Sequence, residues 1–299
     1  MKFFKQLFSK SEKKTKGEPA PPDRWTIGIY SGESLSSLCS NGPNPVISPQ
    51  DLHDVDARLV ADPFMMREGE LWHLFFEAEV NTPEGPIGKI GHAESRDGLD
   101  WSYRGIVLEA PFHLSYPYVF RHGSDILMVP ETRADRCIRL YKAQEFPNKW
   151  GFVKKLLKGR RFADNSLFEY DNRWWMFTDS GNHTLRLYYA TDIAGPWKEH
   201  RQSPILKKNP NHARPGGRVF IEDGTPIRFA QDAYPVYGSQ VWGFKIECLT
   251  TKTYRETPIT DPIIQGSGSG WNGKGMHTID PHRQADGTLI ACVDGLAMP

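Results

Sequence analysis

The sequence predicts an all-β protein folded as a five-bladed β-propeller, and three observations carry this prediction. A strand–turn–strand pattern returns at intervals of roughly fifty residues, which is the range of propeller blades. The 299 residues include 27 glycines, 23 prolines and 12% aromatic residues, a mixture typical of many short strands joined by turns. After residue 24, no amphipathic helical pattern of comparable strength interrupts the strands.

Each predicted blade begins with a hairpin of two apolar runs around a polar turn. In the third repeat, the runs at 166–170 and 174–178 flank Asp171-Asn172. The five repeats cover residues 61–101, 116–143, 160–197, 214–249 and 277–295. The last repeat lacks strands, and an unpaired sheet edge needs a partner. We therefore expect residues 24–32, left over at the start, to close the ring.

Residues 1–23 form a basic leader and linker ahead of the propeller at 24–299. Residues 1–16 are rich in lysine, and Phe3, Phe4, Leu7 and Phe8 fall at helical spacing on one side. This segment is either an amphipathic helix that lies on an anionic membrane surface or a disordered, solubilising tail. The following GEPAPPD is a linker by composition.

Composition restricts the classes of function. The formal net charge of +1 gives nucleic-acid binding no support. Cys39, Cys137, Cys248 and Cys292 are scattered, so neither a zinc site nor a disulfide framework is expected, and no cofactor is predicted. The chain has no apolar run of eighteen residues and no secretory signal pattern. The expected location is the cytoplasm, either free or peripheral on the inner face of the membrane.

Five residues stand at or just before the first strands of the predicted blades: Asp62, Pro117, Asp164, Arg214 and Asp280. In a propeller these strands line the central channel, and all begin at one mouth. We therefore predict that the five positions meet in one funnel. A funnel lined by polar side chains is the expected place for a ligand site.

Asp62 and Asp164 are the predicted catalytic carboxylates. Two carboxyl groups a sugar's width apart, one ionised and one protonated, are the machinery of glycoside hydrolysis. The alternative for each aspartate is a turn cap ahead of a strand. Glu131, which ends a second strand, is the candidate acid, or else a salt-bridge partner of Arg133 or Arg136.

Arg214 is a candidate for anion binding because it precedes Pro-Gly-Gly, a stretch that permits close backbone approach. Its guanidinium would bind a carboxylate or phosphate of the substrate. The alternative is an internal ion pair with Asp164 or Asp232.

The segment GMHTIDPH contributes His277 as a second candidate proton donor, with Asp280 and His282 as candidate substrate-binding residues. Imidazoles beside a carboxylate fit acid/base work or a metal, but the two histidines have opposite strand parity, so no metal site is predicted. The remaining substrate-binding candidates are Tyr116, Asp232 and Trp271; the two aromatic residues would stack on sugar rings.

These motifs resemble those of known five-bladed propellers. The ADP at 61–63 and DNSLFEYDNRWWMF at 164–177 are similar to the aspartate segments of glycoside hydrolase family 43 and its arabinanase, levansucrase and invertase relatives. More closely, residues from about 24 to 295 resemble the N-terminal domain of glucosamine inositolphosphorylceramide transferases and related bacterial surface-polysaccharide proteins. The segments FHLSYPYVF, ARPGGRVF, AQDAYPVYG and MHTIDPHR carry this resemblance.

One departure from the hydrolases bears on the reaction. They place a general-acid glutamate at the start of blade four, where this chain has Arg214-Pro215-Gly216. A nucleotide-sugar donor needs a cation rather than an acid, because its diphosphate leaves already ionised. The resemblance therefore implies glycan chemistry in cell-surface polysaccharide or glycolipid assembly, and the departure favours glycosyl transfer from a sugar nucleotide. Hydrolysis of a glycan and non-catalytic glycan binding are the alternatives.

Overall fold

The computed structural model describes residues 25–298, and the leader, in either of its predicted forms, lies outside the described residues. Five antiparallel sheets are arranged as the blades of a propeller, which confirms the predicted fold class. No helix among residues 25–298 is long and apolar enough to cross a membrane.

The chain begins in the blade where it ends. β1 (Trp25–Gly32) and β2 (Cys39–Ser40) join the last sheet, whose strand order is β2-β1-β22-β21. All eight residues of β1 pair with β22, so the leftover segment closes the ring as predicted. Four short 3₁₀ helices lie between strands, at Leu35–Ser37, Pro49–Asp51, Arg133–Asp135 and Gly270–Asn272.

The first three blades are four-stranded meanders in chain order. The strands of blade one are β3 (Ala57–Glu68), β4 (Leu71–Val80), β5 (Ile87–Ser95) and β6 (Ser102–Leu108). Those of blade two are β7 (Ser115–His122), β8 (Asp125–Glu131), β9 (Cys137–Glu145) and β10 (Lys149–Lys158). Those of blade three are β11 (Ala163–Tyr170), β12 (Arg173–Asp179), β13 (Leu185–Ala190) and β14 (Lys198–Glu199).

Blade four has a broken inner strand, because β15 and β16 both pair with β17. Its strands are β15 (Arg214–Pro215), β16 (Phe220–Glu222), β17 (Thr225–Gln231), β18 (Gln240–Leu249), β19 (Tyr254–Pro258) and β20 (Ile264–Gln265). Blade five consists of β21 (Ile279–Arg283) and β22 (Leu289–Leu296) together with β1 and β2.

The hairpin turns and the core follow from the sequence pattern. Asp171 and Asn172 have φ values of 51° and 54°, which a type I′ hairpin turn requires at both central residues. Trp72, Trp174 and Trp175 are buried, as their alternation predicted. Aromatic packing joins adjacent blades.

The innermost strands of the first three blades share a local distortion. Each has a register shift beside a residue in the left-handed region: Asp62 (φ 52°), Tyr116 (φ 47°) and Asp164 (φ 52°). A bulge of this kind re-aims a side chain and is common beside active sites. Asp62 therefore lies inside β3 rather than just before the strand, and the equivalent position in blade two is Tyr116 rather than Pro117.

Candidate functional site

The site is at the channel mouth where the second strands of the blades end. In blades three and one, the bulged aspartate is held by an acidic residue of the preceding blade. The Asp164 N–H donates to Glu131 Oε2 at 3.2 Å, and the Asp62 N–H donates to Asp294 Oδ2 at 3.1 Å. The repeated contact fixes both aspartates, and their carboxyl groups form the two halves of a buried cluster, which we call the funnel cluster.

One half of the funnel cluster surrounds Arg214. Its guanidinium forms an ion pair with Asp164 Oδ2 and lies 3.9 Å from Glu131 Oε2. Gln231 Nε2 donates to the same Asp164 oxygen at 2.9 Å. The other oxygen, Asp164 Oδ1, is buried without a hydrogen-bond partner among residues 25–298. The internal pairing considered for Arg214 is thus present, and the second oxygen of the Asp164 carboxylate is left unsatisfied.

The other half surrounds Asp62. Thr278 Oγ1 donates to Asp62 Oδ1 at 2.8 Å, and His277 Nε2 lies 3.3 Å from the same oxygen. The second ring nitrogen of His277 is 2.9 Å from Asp294 Oδ2. His277 therefore lies between two carboxylates, and both favour the charged form of its imidazole.

A third acidic group approaches Asp62 from blade one. Glu77 Oε1 lies 2.9 Å from His113 Nε2, and His113 Nδ1 accepts a hydrogen bond from the Gly88 N–H at 3.0 Å. Burial raises the pKa of Glu77; the His113 partner opposes this shift, and the nearby Asp62 charge adds to it. Glu77 and His113 therefore extend the cluster toward the rim.

The funnel cluster shifts the pKa values of its carboxyl groups in opposite directions. Burial alone would raise the pKa of Asp62, but the hydrogen bond and charge of His277 outweigh it and lower that pKa. Burial raises the pKa of Glu131 well above its usual range, and the Asp164 charge raises it further. Burial also raises the pKa of Asp164 against the opposing Arg214 charge. These shifts favour the ionised form of Asp62 and the protonated form of Glu131, the division that acid/base catalysis uses.

The rim of the mouth is aromatic. The Tyr237 ring centroid lies 5.4 Å from the Arg214 guanidinium carbon and 5.5 Å from the His277 ring centroid. Trp25 packs on the other side of His277, with ring centroids 4.1 Å apart. The Arg214 side chain is 18% exposed, whereas that of Asp164 is fully buried. Arg214 and Tyr237 are therefore more exposed than the Asp164 carboxylate that they adjoin.

The channel is closed beneath the cluster, and two predicted substrate-binding residues form part of this floor. Tyr116 is buried, with its hydroxyl 2.8 Å from Ser166 Oγ and bonded to the Gly217 backbone. Asp280 is buried in an ion pair with Arg218 and accepts a hydrogen bond from the Met65 N–H at 2.7 Å. The structure therefore gives Tyr116 and Asp280 structural contacts below the mouth.

Asp280 and His282 are separated from Asp62 by their positions along β21. Asp280 lies two residues beyond Thr278, and at about 3.3 Å per strand residue it is one layer, roughly 7 Å, deeper in the channel. His282 bonds Asp280 at 3.0 Å and packs against Trp72 at 5.7 Å. Asp280 is therefore deeper in the channel than Asp62, because the strand carries it past the cluster, and its role in substrate binding stays a prediction.

Two further predicted binding residues have structural contacts. Asp232 accepts hydrogen bonds from Asn211, Gln240 and Trp242 at 2.6–3.1 Å and so holds its own loop together. Trp271 packs over the backbone of two glycines, Gly28 and Gly295, whose lack of a side chain makes room for the indole. Substrate binding by Asp232 and Trp271 remains a prediction without a direct contact to the funnel cluster.

Three groups among residues 25–298 bring three potential metal-donor atoms within 4.8 Å of one another. They are Asp62–His277–Asp294, Glu77–Glu79–His113 and His73–His92–Glu94. In the first group, burial opposes a charge on His277, but Asp294 raises its pKa well above the usual range. Metal binding at this group would therefore have to displace the proton of His277.

Several residues of the funnel cluster were missed by sequence reasoning, although a signal for most of them was present. The seventh residue after the hairpin turn of every blade is acidic or an amide: Glu77, Glu131, Asp179, Gln231 and Asp294. Four of these five contact the funnel cluster or act on its charges, while Asp179 binds the N–H groups of Gly181 and Thr184 in its own turn. His113 had no such signal, because it lies in a connection between blades.

The fold is a five-bladed propeller similar to those of solved glycoside hydrolases and phosphorylases. A putative glycosidase from Bacteroides thetaiotaomicron has a TM-score of 0.63 at 12% identity and covers 87% of this chain and 96% of its own. A β-1,2-mannobiose phosphorylase from Listeria innocua has a TM-score of 0.61 at 13% identity and covers 90% of this chain and 96% of its own. At such identities the likeness concerns the fold alone.

The chain belongs to the family described as glucosamine inositolphosphorylceramide transferase 1, N-terminal, which matches residues 21–296. Relatives named glucosamine inositolphosphorylceramide transferase 1 are 36% identical in Oryza sativa subsp. japonica and 32% identical in Arabidopsis thaliana. The matches cover 92% and 91% of this chain but 40% and 39% of those proteins. The chain thus spans about two fifths of the length of the curated relatives it matches.

Proposed function

We propose that the funnel binds the sugar-bearing headgroup of an anionic glycolipid and supports glycosyl transfer to it. The name of the plant relatives supports the substrate class, because it specifies a transferase and an inositolphosphorylceramide, a lipid that carries a phosphate. The observation that carries the proposal is the buried cluster that holds Asp62, Glu131 and Arg214, in which the pKa of Asp62 is lowered and that of Glu131 is raised.

In the proposed transfer, Asp62 acts as the base. The acceptor hydroxyl oxygen attacks the anomeric carbon of a sugar nucleotide, the bond to the diphosphate breaks, and the hydroxyl proton passes to Asp62. The diphosphate leaves ionised and needs no proton, so the Arg214 charge stabilises it. Asp164 Oδ1, which has no partner among residues 25–298, accepts a sugar hydroxyl and orients the ring.

Arg214 has a second role in this proposal, because it binds the phosphate of the incoming substrate. An incoming phosphate competes with Asp164 for the guanidinium, and the exposed side of Arg214 makes this exchange accessible from the mouth. Glu131 stays beside Asp164 as the acceptor of its N–H, with a raised pKa that favours the protonated form. The sugar nucleotide and a location at the inner membrane face are parts of the proposal that rest on the sequence.

A non-catalytic glycolipid-binding module is the second candidate. It is favoured by the share of the relatives that the chain covers, since about three fifths of their length lies outside the match and is available for catalysis there. Glycan hydrolysis is the third candidate, with Glu131 as the acid that protonates the leaving oxygen.

Incubation of the full chain with a panel of sugar nucleotides and inositolphosphorylceramide, followed by mass spectrometry of the lipid, separates the three. Glycosyl transfer predicts a lipid heavier by one sugar residue, and hydrolysis predicts free sugar released from a glycosylated lipid. A binding module predicts calorimetric binding of the headgroup with no product on prolonged incubation. Absence of both binding and product overturns the proposed substrate class.

A further inference from the structure

An exposed apolar loop projects from the mouth beside the funnel cluster. Tyr234, Val236 and Tyr237 are 64%, 44% and 43% exposed, and they follow one another within four residues between β17 and β18. The loop backbone is anchored, because the Tyr234 N–H donates to Asp232 and the Tyr234 carbonyl accepts from Asn211. A fixed loop that presents three large apolar side chains to water is a contact surface for something outside the chain.

Positive charge lies on the same side of the propeller. The segments 158–163, 203–213 and 233–239 contain five basic residues and no acidic residue: Lys158, Arg160, Arg161, Lys207 and Lys208. Arg160 pairs with Glu199, whereas the other four have no ion-pair partner among residues 25–298. The exposed apolar loop is thus accompanied by cations that the fold does not neutralise.

Strand directions place these segments at the mouth. Lys158 pairs with Cys137, the first residue of β9, which follows the mouth end of β8 at Glu131. Arg161 lies three residues before Asp164.

The segment 203–213, which carries Lys207 and Lys208, is also at the mouth. The Ile205 N–H donates to the carbonyl of Leu185, and Leu185 pairs with Asp179 at the mouth end of β12. The Ala233 N–H donates to Pro210, so the lysine-bearing connection lies against the apolar loop.

We propose that this mouth face docks on an anionic lipid bilayer. Tyr234 and Val236 insert among the headgroups, where tyrosine is favoured because its ring is apolar and its hydroxyl remains hydrated. Lys158, Arg161, Lys207 and Lys208 bind anionic headgroups around them. This orientation turns the funnel toward the membrane plane, so that a lipid headgroup reaches Arg214 while its chains stay in the bilayer.

The inference deepens the proposed function and rests on it only for the identity of the lipid drawn into the funnel. The docking itself depends on exposed apolar and cationic side chains. A docking protein partner is disfavoured because its face would need acidic residues spread across three separate connections. An anionic bilayer supplies negative charge at all of them.

A position-specific probe tests the proposal in the full chain, independently of any contribution from residues 1–16. In a Cys39→Ser, Cys248→Ser background, Val236→Cys is labelled with an environment-sensitive fluorophore. The matched control is Ile221→Cys, at a residue 41% exposed in the same blade but beside the β16–β17 turn at the opposite end. Both are mixed with phosphatidylcholine vesicles, with and without about one third phosphatidylserine.

The expected result is a blue shift of the label at 236 with the anionic vesicles and none at 221. Lys207→Glu with Lys208→Glu weakens partition by about tenfold or more, whereas Lys252→Glu, on the far side of blade four, has little effect. If the protein sediments with vesicles while the label at 236 stays in water, or if both labels shift alike, the docking face is wrong. Vesicle docking without turnover refutes the proposed reaction and leaves this inference standing.

Discussion

Arg214 forms an ion pair with Asp164 across the junction between the third and fourth blades. The arginine is the more exposed partner, since its side chain is 18% exposed and that of Asp164 is fully buried. The ion pair neutralises the buried Asp164 carboxylate. It also keeps the Arg214 guanidinium at the mouth, where it can bind an anionic ligand.

Removal of the Arg214 guanidinium should cost both stability and anion binding. Arg214→Ala leaves Asp164 buried without its cation, so we expect the free energy of unfolding to fall by about 3 kcal/mol. Inositol phosphate binding, measured by calorimetry at a temperature where the variant is folded, should be lost. Arg214→Lys should restore most of the stability but little of the binding, since it cannot fork onto a phosphate.

Arg228→Ala is the matched control for this prediction. Arg228 is buried in a paired contact with Glu256 at 2.5 and 2.6 Å, apart from the funnel cluster. It should lose comparable stability and keep its affinity for inositol phosphate. Equal loss of affinity in the two variants would show that Arg214 binds no anion directly.

The protonation of Glu131 gives a second prediction. Because its pKa is raised in the folded state, the folded protein binds more protons than the unfolded chain above the usual glutamate pKa. Its contribution to stability is therefore largest in acid and declines as pH rises beyond that pKa. Glu131→Gln, which keeps the acceptor for the Asp164 N–H, should remove this decline.

Infrared spectroscopy of Glu131→Gln also tests whether Glu131 is protonated. At neutral pH, infrared difference spectra should contain the carbonyl stretch of a protonated carboxylic acid in the parent protein, and Glu131→Gln should abolish that band. A spectrum of ionised carboxylates alone in the parent would contradict the assigned protonation.

The predictable part of this molecule is the part that repeats. The blades, the closing strand and the buried tryptophans follow from a period in the sequence, because every blade must bury the same alternating face. The mouth position of Asp62 and Asp164 follows from the same repeat. The hydrogen bond that each aspartate N–H donates does not, because its acceptor is an acidic residue from a neighbouring blade that only the folded ring brings into contact.

His92 makes stability sensitive to acid. Burial lowers the pKa of His92 to about 3, and His73 and Arg104 contribute to the shift. Below the usual histidine pKa the unfolded chain binds a proton that the folded protein refuses, so stability falls as the pH drops from about 6.5 toward 3. His92→Gln should flatten this part of the curve in chemical denaturation. An unchanged slope would show that His92 becomes protonated within the fold.

The floor of the channel depends on Gly217. Its φ is 141°, and a Cβ there would lie 1.8 Å from the Ile279 carbonyl oxygen. Gly217→Ala must displace β21 from the inner strand of blade four, so we expect a loss of more than about 3 kcal/mol in the free energy of unfolding. Gly224→Ala, also at positive φ (78°) but in open space, isolates the backbone strain and should cost about 1 kcal/mol.

Similar thermal unfolding midpoints for the two glycine variants would contradict the close approach at Ile279. Gly217→Ala should also disturb the floor below the site. The Gly217 N–H donates to the Tyr116 hydroxyl, and the Gly217 carbonyl accepts from it.

The sequence repeat also predicts the positions of some site residues but not of others. Asp62, Asp164, Glu131, Arg214 and His277 come together because each stands near the mouth end of an inner or second strand. The position of Asp280 at the start of a blade's first strand predicted that it would join them, yet two further residues along β21 put it one layer deeper. Whether Arg214 would pair with Asp164 or face solvent depended on a side-chain rotamer, which no sequence pattern specifies.

The central claim, that Asp62 is the base of a transfer reaction in the funnel, is tested most directly by one pair of rates. Glycolipid product formation is measured for Asp62→Asn and for Asp179→Asn, a buried mouth aspartate whose oxygen serves only its own turn. The account predicts a loss of about 10²–10⁴ in rate for Asp62→Asn and little change for Asp179→Asn. Product formation at the parental rate by Asp62→Asn would contradict it.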